Sequence, residues 1–169
     1  MNADQAKFLA EYLTGLIERE SAMTAKVLEA VPDTGHGYKP DAKSRTAWEL
    51  ATHLATADIW FIDSILNGAF EWNPDAMKQA ESQFKSVDDI VAFYAKTFPE
   101  KVKALRALPG DRLTPAISFF GNFNWPAVQY IGFANNHSMH HRGQLAAYLR
   151  AMGSKVPNIY GPSADAKEE

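Results

Sequence analysis

The sequence predicts an all-α protein, a four-helix bundle with long connecting loops. Four segments repeat apolar residues at intervals of three and four, which places those residues on one face of an α-helix. Stretches rich in Gly, Pro and Asp separate the segments, and one strand-like stretch, 117–120, has no evident partner strand. The connections of roughly 12 to 20 residues exceed what a simple up-and-down bundle needs, so we expect them to cap the bundle or shape a cleft.

The first predicted helix covers residues 3–31 and ends where Pro32 opens a turn-rich stretch. Glu20 lies at the centre of its apolar face, between Leu16 and Val27. A carboxylate on that face needs a cation, a metal ion or a proton. Glu20 is therefore a candidate fourth metal ligand, a carboxylate behind a histidine, a general base, or the partner of an Arg or Lys from another helix.

The second predicted helix covers residues 46–67. Thr46 followed by Glu49 fits a capping box, in which each side chain bonds the other residue's backbone N–H. Gly68 supplies the stop, because glycine readily adopts the left-handed conformation that ends many helices. The stretch 69–83 is expected to be a loop that holds at most one helical turn.

The third predicted helix covers residues 87–108, with Ser86 as its N-cap. Pro99 lies inside it and should either kink the helix or mark a boundary. Residues 111–123 are expected to be irregular.

The fourth and clearest helix is predicted for residues 124–152, with Gly153 ending it. We expect a mobile tail at 162–169, because the chain there is polar and terminal. A length of 169 residues suits one domain over 1–169.

Composition narrows the classes of function. The net charge of -3 and the lack of a basic run argue against nucleic-acid binding. No apolar stretch approaches the roughly 18 to 20 residues of a membrane span, and no signal peptide is evident, so a cytoplasmic protein is expected. With no cysteine in the chain, any metal must be held by nitrogen and oxygen ligands.

Two histidines lie one helical turn apart in the fourth predicted helix. His137 and His141 leave the same face about 6 Å apart along the axis, which allows both rings to reach one metal ion. His53 lies at the edge of the apolar face of the second helix, which suits a third ligand lining a cleft, but taken alone it is better interpreted as a histidine satisfied at the helix boundary. From spacing alone, a metal site and a hydrogen-bonded pair of core histidines are equally supported.

Other residues near this motif have more ordinary interpretations. His140 is expected at the rim and His36 in a loop. Arg142 would anchor an anionic substrate or pair with a carboxylate of another helix, and we favour the pair. Small residues on the opposite face of the fourth helix would allow another helix to approach closely, which predicts a homodimer if the chain itself does not cover that face. These residues are Gly132, Asn135, Met139, Gly143 and Ala146.

The chain resembles the DinB/YfiT-like superfamily over nearly its whole length. The resemblance is carried by LEAVPDTGHGYKPDAKS, SRTAWELATHLATADIWFI, NNHSMHHRGQLAAYLRAMG and VPNIYGPS. It implies a four-helix bundle of the DinB/YfiT-like type in which His53, His137 and His141 bind a divalent transition metal, commonly nickel or zinc. It also implies a homodimer.

Some members of this superfamily are thiol-dependent transferases or isomerases that use bacillithiol or mycothiol, and many have no established activity. We therefore expect a metal-dependent thiol S-transferase or hydrolase with a small-molecule substrate. The alternatives are a non-catalytic, stress-related bundle that binds a metal or small ligand, and a bundle whose histidines are merely packed. A non-haem iron oxygenase would need Glu20 or Glu49 in place of one histidine.

Overall fold

The computed structural model describes residues 1–165. Within that range the chain forms six α-helices and one antiparallel hairpin. The elements in chain order are α1 Ala3–Glu29, α2 Ala47–Asn67, α3 Pro74–Ser82, α4 Val87–Ala107, α5 Gly110–Leu113, β1 Ala116–Phe119, β2 Phe123–Pro126 and α6 Ala127–Leu149. The predicted helical class and its four long helices are confirmed, and the hairpin is an addition to them.

The four long helices form a closed ring around one core. α1 contacts α4 and α6, and α2 contacts the same two helices. Fully buried aliphatic side chains from all four fill the space between them, and burial of this apolar surface is the main force that holds the bundle together. They include Leu28, Leu54, Ile90, Leu105, Ile131 and Leu145.

The predicted start and end of α2 are confirmed. The Thr46 hydroxyl accepts a hydrogen bond from the Glu49 backbone N–H at 3.2 Å, and the Glu49 carboxylate accepts one from the Thr46 N–H at 2.8 Å. Gly68 has φ of 75°, the left-handed conformation that releases the chain from the helix. These local signals fix where His53 lies along the bundle.

The loop predicted for 69–83 was wrong, because α3 occupies nine of its residues. Asn73 caps this helix by accepting a hydrogen bond from the Ala76 N–H at 3.0 Å, and Pro74 takes the first helical position. α3 has no fully buried residue, so its sequence carries little apolar periodicity. Pro99, by contrast, marks no boundary, because α4 continues through it.

The fourth long helix, α6, begins later than predicted, and residues 111–123 are more regular than expected. β1 pairs antiparallel with β2, which places Ile117 opposite Trp125. Residues 124–126, predicted as helix, therefore form a strand, and α6 begins at Ala127. The partner strand was missed because its residues directly adjoin the helical periodicity of α6.

The chain after α6 folds back on α1, where the Ser154 hydroxyl donates to the Ala30 carbonyl at 2.6 Å and the Tyr160 hydroxyl donates to Glu20 at 2.7 Å. Asp165 accepts hydrogen bonds at 2.9 Å from the Val156 N–H and from the Arg150 side chain. Residues 162–169 were predicted to form a mobile tail. These contacts hold Asp165 in place, and residues 166–169 lie outside the described residues. Among residues 1–165, no helix combines the length and apolar character that a membrane span requires.

Candidate metal site

Three histidines come together where α2 packs against α6. His53 projects from α2, and His137 and His141 project from adjacent turns of α6. One ring nitrogen from each lies within 4.8 Å of those of the other two. Nitrogens bound tetrahedrally to one zinc ion at about 2.1 Å are about 3.4 Å apart, so modest ring rotations close the remaining gap. The donor set fits a transition-metal ion.

The charge state of the rings also fits a metal. Burial, with help from the nearby Arg45 guanidinium and the neighbouring rings, lowers the pKa of His53 to about 3. Burial likewise lowers the pKa of His137 to about 4 and that of His141 below its ordinary value. Neutral imidazoles at pH 7 have the free lone pair that a metal ion requires.

Hydrogen bonding leaves nitrogen atoms available in the cluster. The Nδ1 atom of His137 is buried and has no hydrogen-bond partner among residues 1–165. The Nδ1 atom of His141 lies 2.8 Å from the side-chain oxygen of Gln144, which can only accept, so Nδ1–H donates and Nε2 keeps its lone pair. A buried ring nitrogen without a partner is costly, and a bound metal ion would satisfy it.

Glu81 of α3 lies beside the cluster, and the sequence did not single it out. Its carboxylate oxygen is 3.7 Å from Nδ1 of His53, too far for a hydrogen bond but suitable for an outer partner of a ligand histidine. Burial raises the pKa of Glu81 above its ordinary value. The residue was missed because its helix was expected to be a loop.

Glu20 and Arg142 pair with each other instead of joining the histidines. Arg142 is 2% exposed, and its Nη2 donates to the Glu20 carboxylate at 2.7 Å. Tyr160 donates to the same oxygen at 2.7 Å. The cross-helix ion pair considered from the sequence is present, and this carboxylate is not among the clustered ligand atoms. The Arg142 guanidinium offers almost no surface to an anionic substrate.

Asp58 is a buried carboxylate that the sequence did not single out. Its Oδ2 accepts hydrogen bonds from the Tyr94 hydroxyl at 2.8 Å and the Ser138 hydroxyl at 2.9 Å. Burial raises the pKa of Asp58 to about 7, against the opposing effect of these bonds and of Arg142. Its position in the apolar stretch of α2 was the signal available in the sequence.

The remaining candidates lie outside the cluster. His140 is exposed, and the His36 ring packs on Trp48 with centroids 4.4 Å apart. The small-residue face of α6 is partly covered within the chain, because α1 packs on that helix and Leu13 approaches Gly132. The homodimer stays a prediction.

Comparison with known proteins identifies the family of the chain. The family model described as the DinB family matches residues 5–169. The chain is a member of the DinB family. The Bacillus subtilis protein YrdA is 31% identical over 157 residues, which cover 90% of this chain and 86% of YrdA. YjoA of the same organism is 29% identical over 134 residues, covering 78% of this chain and 82% of YjoA.

Solved structures of the family share the fold. A DinB-like protein from Bacillus cereus has a TM-score of 0.72 at 26% identity, with 89% of this chain and 97% of that chain covered. The structure of YjoA has a TM-score of 0.68 at 22% identity, covering 89% of this chain and 98% of that chain. A mycothiol-dependent maleylpyruvate isomerase is more distant, with a TM-score of 0.56 at 13% identity over 86% of this chain and 61% of that chain.

Proposed function

We propose that this DinB protein is a metal-dependent enzyme of the thiol S-transferase or hydrolase type, with nickel or zinc as the expected metal. The observation that carries the proposal is the convergence of His53, His137 and His141, whose ring nitrogens lie within 4.8 Å of one another. His137 and His141 are partly exposed, so a small molecule can reach the cluster.

The chemistry follows from the donor set. His53, His137 and His141 would hold a divalent cation, and as a Lewis acid the cation would lower the pKa of a thiol or water bound beside them. A small thiol has to come from outside, because the chain has no cysteine. The mycothiol dependence of the distant isomerase motivates a low-molecular-weight thiol as the first co-substrate to test.

The protein's own side chains have separate tasks in this scheme. The three histidines fix the reacting position, and Gln144 sets the ring orientation of His141 through its 2.8 Å hydrogen bond. We assign the proton that the thiol or water would give up to Glu81, whose carboxylate adjoins the cluster 3.7 Å from Nδ1 of His53. The sulfur or oxygen then forms a bond to the electrophilic carbon while the leaving group departs with the bonding electrons.

The test compares the wild type with His141→Ala and with the matched control His140→Ala, whose histidine is the exposed neighbour. Each protein is purified without a nickel column, loaded with Ni²⁺ or Zn²⁺, and assayed with electrophiles in the presence and absence of small thiols. We expect turnover to fall by about 100-fold or more in His141→Ala and to persist in His140→Ala.

The outcomes separate the candidate functions. Thiol-dependent turnover supports the transferase, and turnover without thiol supports the hydrolase. Equal rates in the wild type and His141→Ala would remove the catalytic claim. Tight metal binding without any turnover would leave the non-catalytic binding protein.

A further inference from the structure

An apolar cavity of about 180 Å³ opens directly beside the histidine cluster. Two candidate ligands, His53 and His137, form part of its wall, and the rest comes from α2, α3, α6, the hairpin and the segment before α3. Apart from these two imidazoles, the lining holds no ionisable side chain. A charged group placed against the aromatic wall, away from the histidines, would lose its hydration without gaining a partner, so this part of the cavity favours an uncharged occupant.

Aromatic rings form most of the wall. The Phe61 ring lies 4.9 Å from that of His137, between centroids. Further out, the rings of Trp60 and Phe120 lie parallel with centroids 6.3 Å apart, and Trp72 stands perpendicular to Trp60 at 6.2 Å. Ring faces and edges of this kind favour a flat aromatic ligand. A cavity of about 150 Å³ lined by apolar side chains accepts one benzene ring, so this one suits one ring or two fused rings.

The mouth of the cavity shows that it is not simply a packing defect. Trp72 is 57% exposed and Phe120 is 45% exposed, although both line the cavity. Large rings left half in water beside an apolar cavity are typical of a binding site.

We propose that this cavity binds the flat, uncharged aromatic part of the electrophile, which places the reacting carbon at the histidine cluster. The inference rests on the proposed function and adds its substrate class. Phe120 and Trp72 cover the aromatic part of the ligand at the mouth, while His53 and His137 face it from the inner wall.

Binding to the metal-free protein tests the cavity independently of turnover. Calorimetric titration with 2-naphthol, which is flat and uncharged at pH 7, is compared with titration of 2-naphthoate, which has the same rings and a negative charge. We expect saturable binding of 2-naphthol at one site per chain and affinity at least about tenfold weaker for 2-naphthoate. Equal affinity for the two probes, or no binding of 2-naphthol, would overturn the inference.

Two variants locate the binding site. Ala57→Met fills the cavity from α2, where Ala57 is 2% exposed, and should weaken 2-naphthol binding by about tenfold or more. Phe120→Gly removes a ring from the mouth and should weaken binding several-fold, while the melting temperature stays the same or rises because glycine accepts the left-handed backbone of this position, where φ is 53°. Phe8→Ala, which removes a 76% exposed ring from α1, is the matched control and should leave the affinity unchanged.

The variant results have clear opposing outcomes. If Ala57→Met does not fold, Phe120→Gly tests the site alone. The inference is contradicted if Phe120→Gly binds 2-naphthol as tightly as the wild type. It is also contradicted if Phe8→Ala loses as much affinity as Phe120→Gly. Binding of 2-naphthol without thiol-dependent or hydrolytic turnover would refute the enzyme while keeping the cavity as a binding site. Turnover that is equally fast with aromatic and small aliphatic electrophiles would refute the substrate class and keep the enzyme.

Discussion

Helix α6 has two pairs of polar side chains, and each member of one pair directly precedes a member of the other in the sequence. His137 and His141 face α2, while Ser138 and Arg142 face the buried carboxylate of Asp58 and the largely buried carboxylate of Glu20. The groups of the second pair are bonded to other side chains: Arg142 donates to Glu20 and Ser138 donates to Asp58. In the first pair, the buried Nδ1 atom of His137 has no partner within residues 1–165.

The difference separates a stabilising network from a binding site. A charge buried with its partner holds two helices in register, and the loss of either partner is costly. A buried imidazole nitrogen without a partner, such as Nδ1 of His137, contributes no stabilising bond to the free protein and is available to an added ligand. We therefore expect the two pairs to respond oppositely to mutation, one in stability and the other in metal affinity.

The largest expected effect is on stability, in Arg142→Ala. Removing the guanidinium leaves the Glu20 carboxylate, 14% exposed, without its cation, and the free energy of unfolding should fall by about 3 to 5 kcal/mol. Urea denaturation monitored by tryptophan fluorescence measures the change. Metal affinity of the folded fraction should be preserved, because the histidines remain.

The matched control for this substitution is Arg150→Ala, which removes a guanidinium that is 57% exposed and paired with Asp165. Little change in stability is expected there, because water solvates both groups. If Arg142→Ala were as stable as Arg150→Ala, the role of the buried network would be refuted.

The next effect is a pH dependence carried by Asp58. Because burial raises its pKa from 3.8 to about 7, the folded state binds the proton more tightly than the unfolded state. The stability contributed by this proton is fully present below about pH 4 and is lost as the pH rises through 7, by an amount on the order of 4 kcal/mol. Asp58→Asn should remove this dependence.

The buried histidines work in the opposite direction. Since burial lowers the pKa of His53 and His137, the stability associated with their neutral forms is lost as the pH falls below about 6.5. The measurement is therefore the difference in unfolding free energy between the wild type and Asp58→Asn from pH 4.5 to 7.5. A difference that does not vary with pH would contradict the raised pKa of Asp58.

A smaller effect is expected at the carboxylate beside the metal ligands. Glu81→Gln keeps the shape of the side chain and removes its charge, and it should weaken metal binding by about tenfold without changing stability. Glu100→Gln, an exposed position on α4, is the control. Identical metal affinities in the two variants would remove Glu81 from the site.

The long helices and the pairing of His137 with His141 could be predicted from the sequence because their causes are local. Capping at Thr46 and the stop at Gly68 fix α2, and the spacing of His137 and His141 fixes their shared face. The partnership of His53 with them came from the family resemblance, since spacing within one helix says nothing about another helix.

The other features of the site depend on tertiary contacts, which the sequence alone does not reveal. Glu81 lies on a helix without a buried face, and the cavity combines side chains from elements distant in sequence, including Trp72 and Phe120. Glu20 illustrates the same limit: its place on an apolar face showed that it needs a partner, but only the packing of α1 against α6 selects Arg142. The hairpin was hidden because β2 directly adjoins α6.

The most direct measurement is calorimetric titration of the metal-stripped protein, prepared without a nickel column, with Ni²⁺ and with Zn²⁺. We expect one ion per chain, with affinity weakened by about 100-fold or more in His53→Ala, His137→Ala and His141→Ala and unchanged in His140→Ala. The metal site would be refuted if the wild type bound neither ion, or if any of the three ligand variants bound the ion as tightly as the wild type.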